Sequence, residues 1–364
     1  MLVGKRGMIM KNIGAVSLSF AYAVCFFGAG FVSGQELWQF FGAFGQMGYV
    51  GFFVAVVLFV ALGIILIRLT QATQIVEVDL LLVPWDIPWL RKTVGAVQVF
   101  LLFCVVTVMT AGVAALGEQL MGVPTWIGGA VFAALIALVA MAGVSGMVRV
   151  FSALIPVLVA ATLLFSLAAY RKFGMTGIFE LRYTNTNPLM PHWLIASFTY
   201  VAYNMMGAIG MMTPLGNRIK SKHAVYGGIL LGGLWLLCVA AGVLTSIAVW
   251  PAAAATELPM VALAAQVNPT LGSAYGVLLF LGMFCTSLSS LVADMTYFEL
   301  KFPLLRTKRK LVLFAGAVMF WAASLLGFGD LIGVIYPIFG YCGVVFLGLM
   351  IAHYVKCKKE KSEA

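Results

Sequence analysis

The sequence predicts an all-α polytopic membrane protein of about ten transmembrane helices. They form two five-helix repeats of opposite topology, with helices one and six interrupted. Three observations predict this. Of 364 residues, 63% are hydrophobic and 9% charged, against about 25% charged in soluble domains. Polar residues are too few to cover a globule. Apolar runs of roughly 18 to 25 residues recur, each long enough to cross about 30 Å of hydrocarbon as a helix, and the alternation of a membrane barrel is absent. The first run is broken by "FFGAGFVSGQE", residues 26–36, which sets glycines, a serine and a carboxylate at membrane depth.

Taken in order, the apolar runs place spans at about 13–41, 48–67, 94–117, 125–143, 150–170, 192–214, 224–249, 271–298, 311–328 and 331–355. Residues 1–364 read as one transmembrane domain, with repeat one over about 13–170 and repeat two over about 192–355. The segment 68–92, with Pro84, Trp85 and Pro88, predicts a loop carrying a short interfacial helix. A second short amphipathic piece is predicted over 258–266. The start, with Lys5, Arg6 and Lys11 before an apolar run, resembles a signal peptide, yet no clean small-residue cleavage site follows, so it is read as a retained first span.

Basic residues set the orientation, because short cytoplasmic loops carry an excess of Lys and Arg. With the N-terminus inside and ten alternating spans, 19 of the 22 Lys and Arg fall on the cytoplasmic side. They include Arg218 and Lys220 after span six and Arg306 after span eight; only Arg171, Lys172 and Arg182 fall outside. A miscounted span would mix that tally. Both termini are therefore expected in the cytoplasm of a multi-pass protein of the cell membrane. The net charge of +10 resides in these loops, which reads as membrane orientation and not nucleic-acid binding.

Span six repeats the glycine theme at Gly207-Ala208-Ile209-Gly210, half a chain and five spans beyond Gly28. Five is odd, so the two units point opposite ways through the bilayer, a transporter architecture. A helix broken in mid-bilayer exposes N–H and C=O groups that must line protein or a polar cavity. The half-helix ending near Phe27 offers carbonyls to a cation. The one beginning near Phe31 offers N–H groups to a carboxylate. Glu36, a carboxylate at membrane depth, is a functional candidate by default. It could meet a solute ammonium, take up a proton, or tie the half-helix to a neighbouring span. Tyr200, Tyr203 and Asn204 lie well inside span six; the tyrosines read as pocket lining, and Asn204 as either an interhelical hydrogen bond or part of the site. In span eight, Thr286, Ser289 and Ser290 recur at i, i+3 and i+4, one helix face, and Asp294 extends it by a turn. Oxygens on such a face, opposite span-one carbonyls, suit a hard cation.

The motifs "GAGFVSGQE", "YNMMGAIG" and "CTSLSSLVAD" on ten spans resemble the amino acid–polyamine–organocation (APC) superfamily with its LeuT-type fold. The first motif is similar to the YkvI-type bacterial membrane proteins. The resemblance implies a sodium site made of the carbonyls of Val24 and Phe27 with Thr286, Ser289 and Ser290. It implies a solute carboxylate on the N–H groups of Ala29 and Gly30, and a pocket lined by Tyr200, Tyr203 and Met206. Proton-coupled relatives can carry a lysine in span five; 150–170 contains none, which favours sodium. Glu36 and Asp294 keep proton coupling as the alternative.

The expected function is secondary transport of a small amino-acid-like or amine solute, in symport with Na⁺ or H⁺. A non-transporting receptor with the same pocket is the competing class. The partners are the lipid bilayer and the solute. No phosphate-binding loop for ATP is present. The six cysteines are scattered and the three histidines lie far apart, so neither an enzyme nor a cofactor is expected.

Overall fold

The computed structural model describes residues 14–75, 77–142, 147–216, 219, 221–302 and 307–363. Among the basic residues used for orientation, Lys5, Arg6, Lys11, Arg218, Lys220 and Arg306 lie outside these. The described chain is helical, with one isolated β-bridge between Phe44 and Tyr183. Span one is built from α1 (Ala15–Val24), α2 (Ala29–Ser33) and α3 (Gln35–Leu37), which runs into a π-helical turn over Trp38–Gly42. Then follow α4 (Gln46–Thr73), α5 (Val78–Leu82), α6 (Pro88–Met121), α7 (Thr125–Ala142), α8 (Met147–Phe173) and α9 (Trp193–Gly216). The chain continues through α10 (Lys222–Val249), α11 (Pro259–Val267), α12 (Pro269–Lys301), α13 (Arg309–Ser324) and α14 (Phe328–Glu363). Setting aside the short α5 and α11, the described residues form ten successive helical segments, counting the interrupted span one as one.

Local chemistry explains the boundaries. Proline occupies the first turn of α6, α11 and α12, where its missing N–H costs nothing. Asn268 caps α12 through Thr270 N (2.8 Å), and Gly122 ends α6 in the left-handed region at φ 66°, which glycine enters without a Cβ penalty. Among the described residues, seven helices are long and apolar enough to span a bilayer by themselves. The interfacial helix expected in 68–92 is α5, and the piece expected at 258–266 is α11.

Packing relies on glycine, since lipid tails are as apolar as leucine and helices associate by close approach. A Cβ on Gly340 or Gly343 of α14 would lie 2.5–2.6 Å from atoms of Thr199 and Ala202 on α9. Gly228 and Gly232 admit Leu18 and Tyr22, seating α1 on α10. Gly112 of α6 admits Met283 of α12.

One expectation is corrected. Span six is a continuous helix from Trp193 to Gly216. Its polar side chains bond back along it: the Asn204 amide donates to Tyr200 O (3.0 Å) and Thr213 Oγ1 to Ile209 O (2.5 Å). Gly207 and Gly210 tolerate helix as readily as a break, and here they make room beside an intact one. Span one, by contrast, is interrupted twice, over Cys25–Gly28 and again at Gly34 (φ 88°).

Candidate functional site

The first interruption leaves backbone groups free. After α1 the chain tightens: Phe26 N and Phe27 N both donate to Ala23 O, and Gly28 N donates to Phe26 O (2.8 Å). The carbonyls of Val24 and Phe27 accept no hydrogen bond among the described residues. A Cβ on Gly28 would meet nothing within 4 Å, and the same holds for Gly207 of α9. Two glycines from the two most informative motifs thus border open space.

On α9, Asn204, Gly207 and Met211 form one face of rising exposure. It lies opposite the lipid-type residues Leu194, Ile195 and Phe198, which are exposed nearer the other end of the helix. On α12, Tyr275 Oη donates to Val32 O (2.7 Å) and Gly282 packs against Ala29. The same face continues one turn further as Thr286 and Ser289, then Ala293 and Thr296; Ser289, Ala293 and Thr296 are exposed. A hydroxyl-bearing, leucine-free face does not suit lipid. It runs from Gly282, beside Ala29, towards the C-terminal end of α12.

The opposite side is latched. Gln39 Nε2 donates to Gly329 O (2.7 Å), Asn187 Nδ2 to Gly333 O (2.8 Å), and Gly329 N to Glu257 Oε2 (2.6 Å). These bonds hold the outer half of span one and the 184–190 loop against the start of α14. A cleft of about 480 Å³ above them is lined by Gln35, Gln39, Asn185, Asn187 and Asp330, among others. Burial pushes the Glu257 carboxyl above its ordinary range; the Gly329 N–H bond pulls it down, while Asp330 and Glu118 add to the rise.

Glu36 is buried, at 6% exposure. Tyr203 Oη donates to its Oε1, and Tyr203 stacks on Tyr336 of α14, centroids 4.6 Å apart. The carboxyl lies against Gly30: a Cβ there would be 3.2 Å from Glu36 Cδ and 3.3 Å from Oε2. The place expected to receive a solute carboxylate is therefore covered by the chain's own. The helix that begins there, α2, has only five residues, too few to build much dipole.

Of the other sequence candidates, Thr286 and Ser290 have hydroxyls without a protein partner among the described residues, while Ser289 Oγ donates to Thr286 O of its own helix (3.0 Å). Tyr200 is corrected. It is fully buried, packed by Phe40, Phe41, Phe52 and Phe59, in the core and not on the open space. Met206 is 1% exposed and likewise core. Asp294 is on the buried side of α12, at i, i+3, i+7 spacing with Ser287 and Ser290. Among the described residues, Asp294 Oδ1 and Ser287 Oγ have no hydrogen-bond partner, and neither does Gln98 Oε1 on α6. Gln98 is one turn from Gly95, which packs on Tyr297, so it lies at the depth of Asp294.

Sequence reasoning missed Tyr336 and Gly34. A tyrosine beside Pro337 in a terminal span reads as an interface anchor, and only its stack on Tyr203 marks it. Gly34 stood inside the quoted motif and was masked by the two glycines before it.

The chain is 27% identical over 352 residues to the uncharacterized membrane protein YkvI of Bacillus subtilis (strain 168), covering 95% of this chain and 96% of that protein. It is 25% identical over 342 residues to the uncharacterized protein YyaD of the same organism, covering 91% and 94%. No protein-family model matches. Among solved structures, the fold is similar to the inward-facing conformation of Mhp1, with TM-score 0.64 and 17% identity over 95% of this chain and 77% of that one. It is also similar to a mutant of the Eremococcus coleocola manganese transporter, with TM-score 0.50 and 13% identity over 97% and 78%. These likenesses show the fold, which is the LeuT type.

Proposed function

We propose that this chain is a secondary transporter of the cytoplasmic membrane, with both termini in the cytoplasm. It moves a small amino-acid-like or amine solute in symport with a cation, Na⁺ in the leading form. The observation that carries the reading is the break in span one, where the carbonyls of Val24 and Phe27 are unpaired among the described residues and a Cβ on Gly28 would meet nothing within 4 Å. The exposed hydroxyl face of α12 begins at Gly282 beside Ala29, and the other side is held by the bonds of Gln39, Asn187 and Glu257. Alternating access needs a central site open to one side at a time. The two proteins of similar fold are, by name, a manganese transporter and one described in an inward-facing conformation, which supports the same class.

For sodium, the supporting features are the unpaired carbonyls of Val24 and Phe27 and the unpartnered hydroxyls of Thr286 and Ser290 at the neighbouring depth of α12. Hard cations take such oxygen ligands. Proton coupling is the second reading, favoured by Glu36 and Asp294, two buried carboxylates without an ion pair among the described residues.

Purified protein in proteoliposomes, given a radiolabelled panel of amino acids and amines, tests both. Uptake is measured at fixed pH with sodium replaced by choline, then at fixed sodium with pH varied. The sodium reading expects loss of uptake in choline, and Ser290→Ala shifting sodium dependence to higher concentration. Linkage then requires sodium to tighten solute binding by the factor that solute tightens sodium. Uptake indifferent to sodium and steep in pH, with Ser290→Ala as wild type, rejects the sodium site. No flux of any solute under any gradient rejects transport.

A further inference from the structure

Resting on the transport reading above, we infer that the solute is a carboxylate-free organic amine whose ammonium pairs with Glu36, and that α-amino acids are excluded. The evidence is where the Glu36 carboxyl sits. It lies flat on Gly30, with Cδ and both oxygens 3.2–3.5 Å from where a Cβ would be. An amino acid entering amino-group first would bring its carboxylate to this same turn of span one. There it would meet a second carboxylate in a water-poor site, where like charges are screened least. The position that could hold a solute acid already holds one.

The same carboxylate lacks a cation. Its Oε1 accepts from Tyr203, and its Oε2 has no hydrogen-bond partner among the described residues. The ion pairs there are Arg91–Asp86, Arg309–Glu299 and Lys356–Glu360, all at helix ends or in loops. No Lys or Arg lies in the middle of any span, so the formal charge at mid-membrane is acidic. A buried carboxylate without a partner draws a proton or a ligand cation.

Gly28 is two residues before Gly30, and Gly207 is one turn after Tyr203 on the same face of α9; both border space rather than atoms. Rings are at hand as well: Tyr203 stacks on Tyr336 and lies 5.8 Å from Phe40, centroid to centroid. Ammonium groups are attracted to aromatic faces as well as to carboxylates. A carboxylate, a phenol that fixes it and aromatic walls beside glycine-lined space make a receptor for an alkyl- or arylammonium ion.

Matched pairs differing only by the α-carboxylate test this on the purified full chain in nanodiscs. The probes are isoamylamine against leucine, tyramine against tyrosine and cadaverine against lysine, with binding followed by calorimetry. At least one amine should bind, 10-fold or more tighter than its amino acid. Glu36→Gln, which keeps an acceptor for Tyr203, should lose 10-fold or more of that affinity. Glu36→Asp should keep the preference for the amine. An amino acid binding as tightly as its amine overturns the inference, as does an amine-blind wild type or a Glu36→Gln variant that binds amine normally. Should Glu36→Gln fail to fold, the wild-type pairs and Glu36→Asp still decide. Amine binding without flux into proteoliposomes would instead refute the transport reading and leave the ligand class standing.

Discussion

Gly343→Ala puts the contact between α9 and α14 to a quantitative test. A Cβ at residue 343 would lie 2.6 Å from Ala202 O, 2.7 Å from Ala202 C and 3.1 Å from Ala202 Cβ, where ordinary contact begins at 3.4 Å. Two of those atoms are backbone and cannot rotate away. The helices must part by about 0.8 Å along this line, and overpacking of this kind costs about 1–3 kcal/mol. The separation also thins the contact one turn away, where the Cβ-free Gly340 is seated so closely on α9 that a Cβ there would lie 2.5 Å from Thr199 Cβ. A gap of roughly 0.5–1 Å forfeits about a quarter to a half of each van der Waals well. The control is Gly348→Ala on the same helix, whose Cβ would meet nothing within 4 Å. It isolates the preference of helix for alanine over glycine, about 1 kcal/mol at most. Both variants share that gain, so they should differ by the packing loss alone, roughly 1–3 kcal/mol. Unfolding in mild detergent, followed by tryptophan fluorescence, should rank Gly348→Ala at or above wild type and Gly343→Ala clearly below. Solute binding should weaken in Gly343→Ala, because the shift separates Tyr203 from Tyr336. Equal stability of the two variants would mean that α9 and α14 do not approach as closely as described.

Three further outcomes are expected. Gly207→Ala should leave stability unchanged or slightly raised and Gly207→Leu should fold, but Leu should cut solute uptake at least 10-fold by filling the space beside α9; normal uptake by a folded Gly207→Leu removes that space from the site. For Glu257, burial holds the folded carboxyl above its ordinary value of 4.5, so the folded state binds the proton more tightly than the unfolded one. That contribution is present below the unfolded value and is lost as pH rises through the folded one, so the stability of wild type relative to Glu257→Gln should fall as pH rises above 4.5, and parallel curves would contradict the raised carboxyl. Impermeant thiol reagents applied to intact cells should label cysteines placed at Gly122 and Ala254 and spare one at Thr307; the reverse pattern inverts the orientation.

Composition alone determined most of the architecture. With 9% charged residues there is no polar coat, and backbone groups in lipid must be paired within the segment, so every long apolar run had to be a helix. Run lengths and the positions of Lys and Arg then made ten crossings legible. The break in span one was legible too, because Gly28 and Gly30 lie in an apolar run beside an acid.

What only the tertiary structure decided is the meaning of each glycine and each polar side chain. Glycine permits a break, a close approach or an empty space, and sequence does not distinguish them. Gly34 breaks the helix, Gly343 is pressed onto Ala202, and Gly207 borders nothing, within a helix expected to be interrupted there. The polar residues depend on helix phase and on what stands opposite. Tyr200 and Tyr203 differ by three positions, yet one is enclosed by phenylalanines and the other reaches Glu36. Glu36 itself is separated from Gly30 by five residues, one of them the left-handed Gly34. The turn at Gly34 folds its carboxyl back onto the break, and a local pattern does not encode that direction, because it follows from a dihedral angle and from the neighbours that hold it.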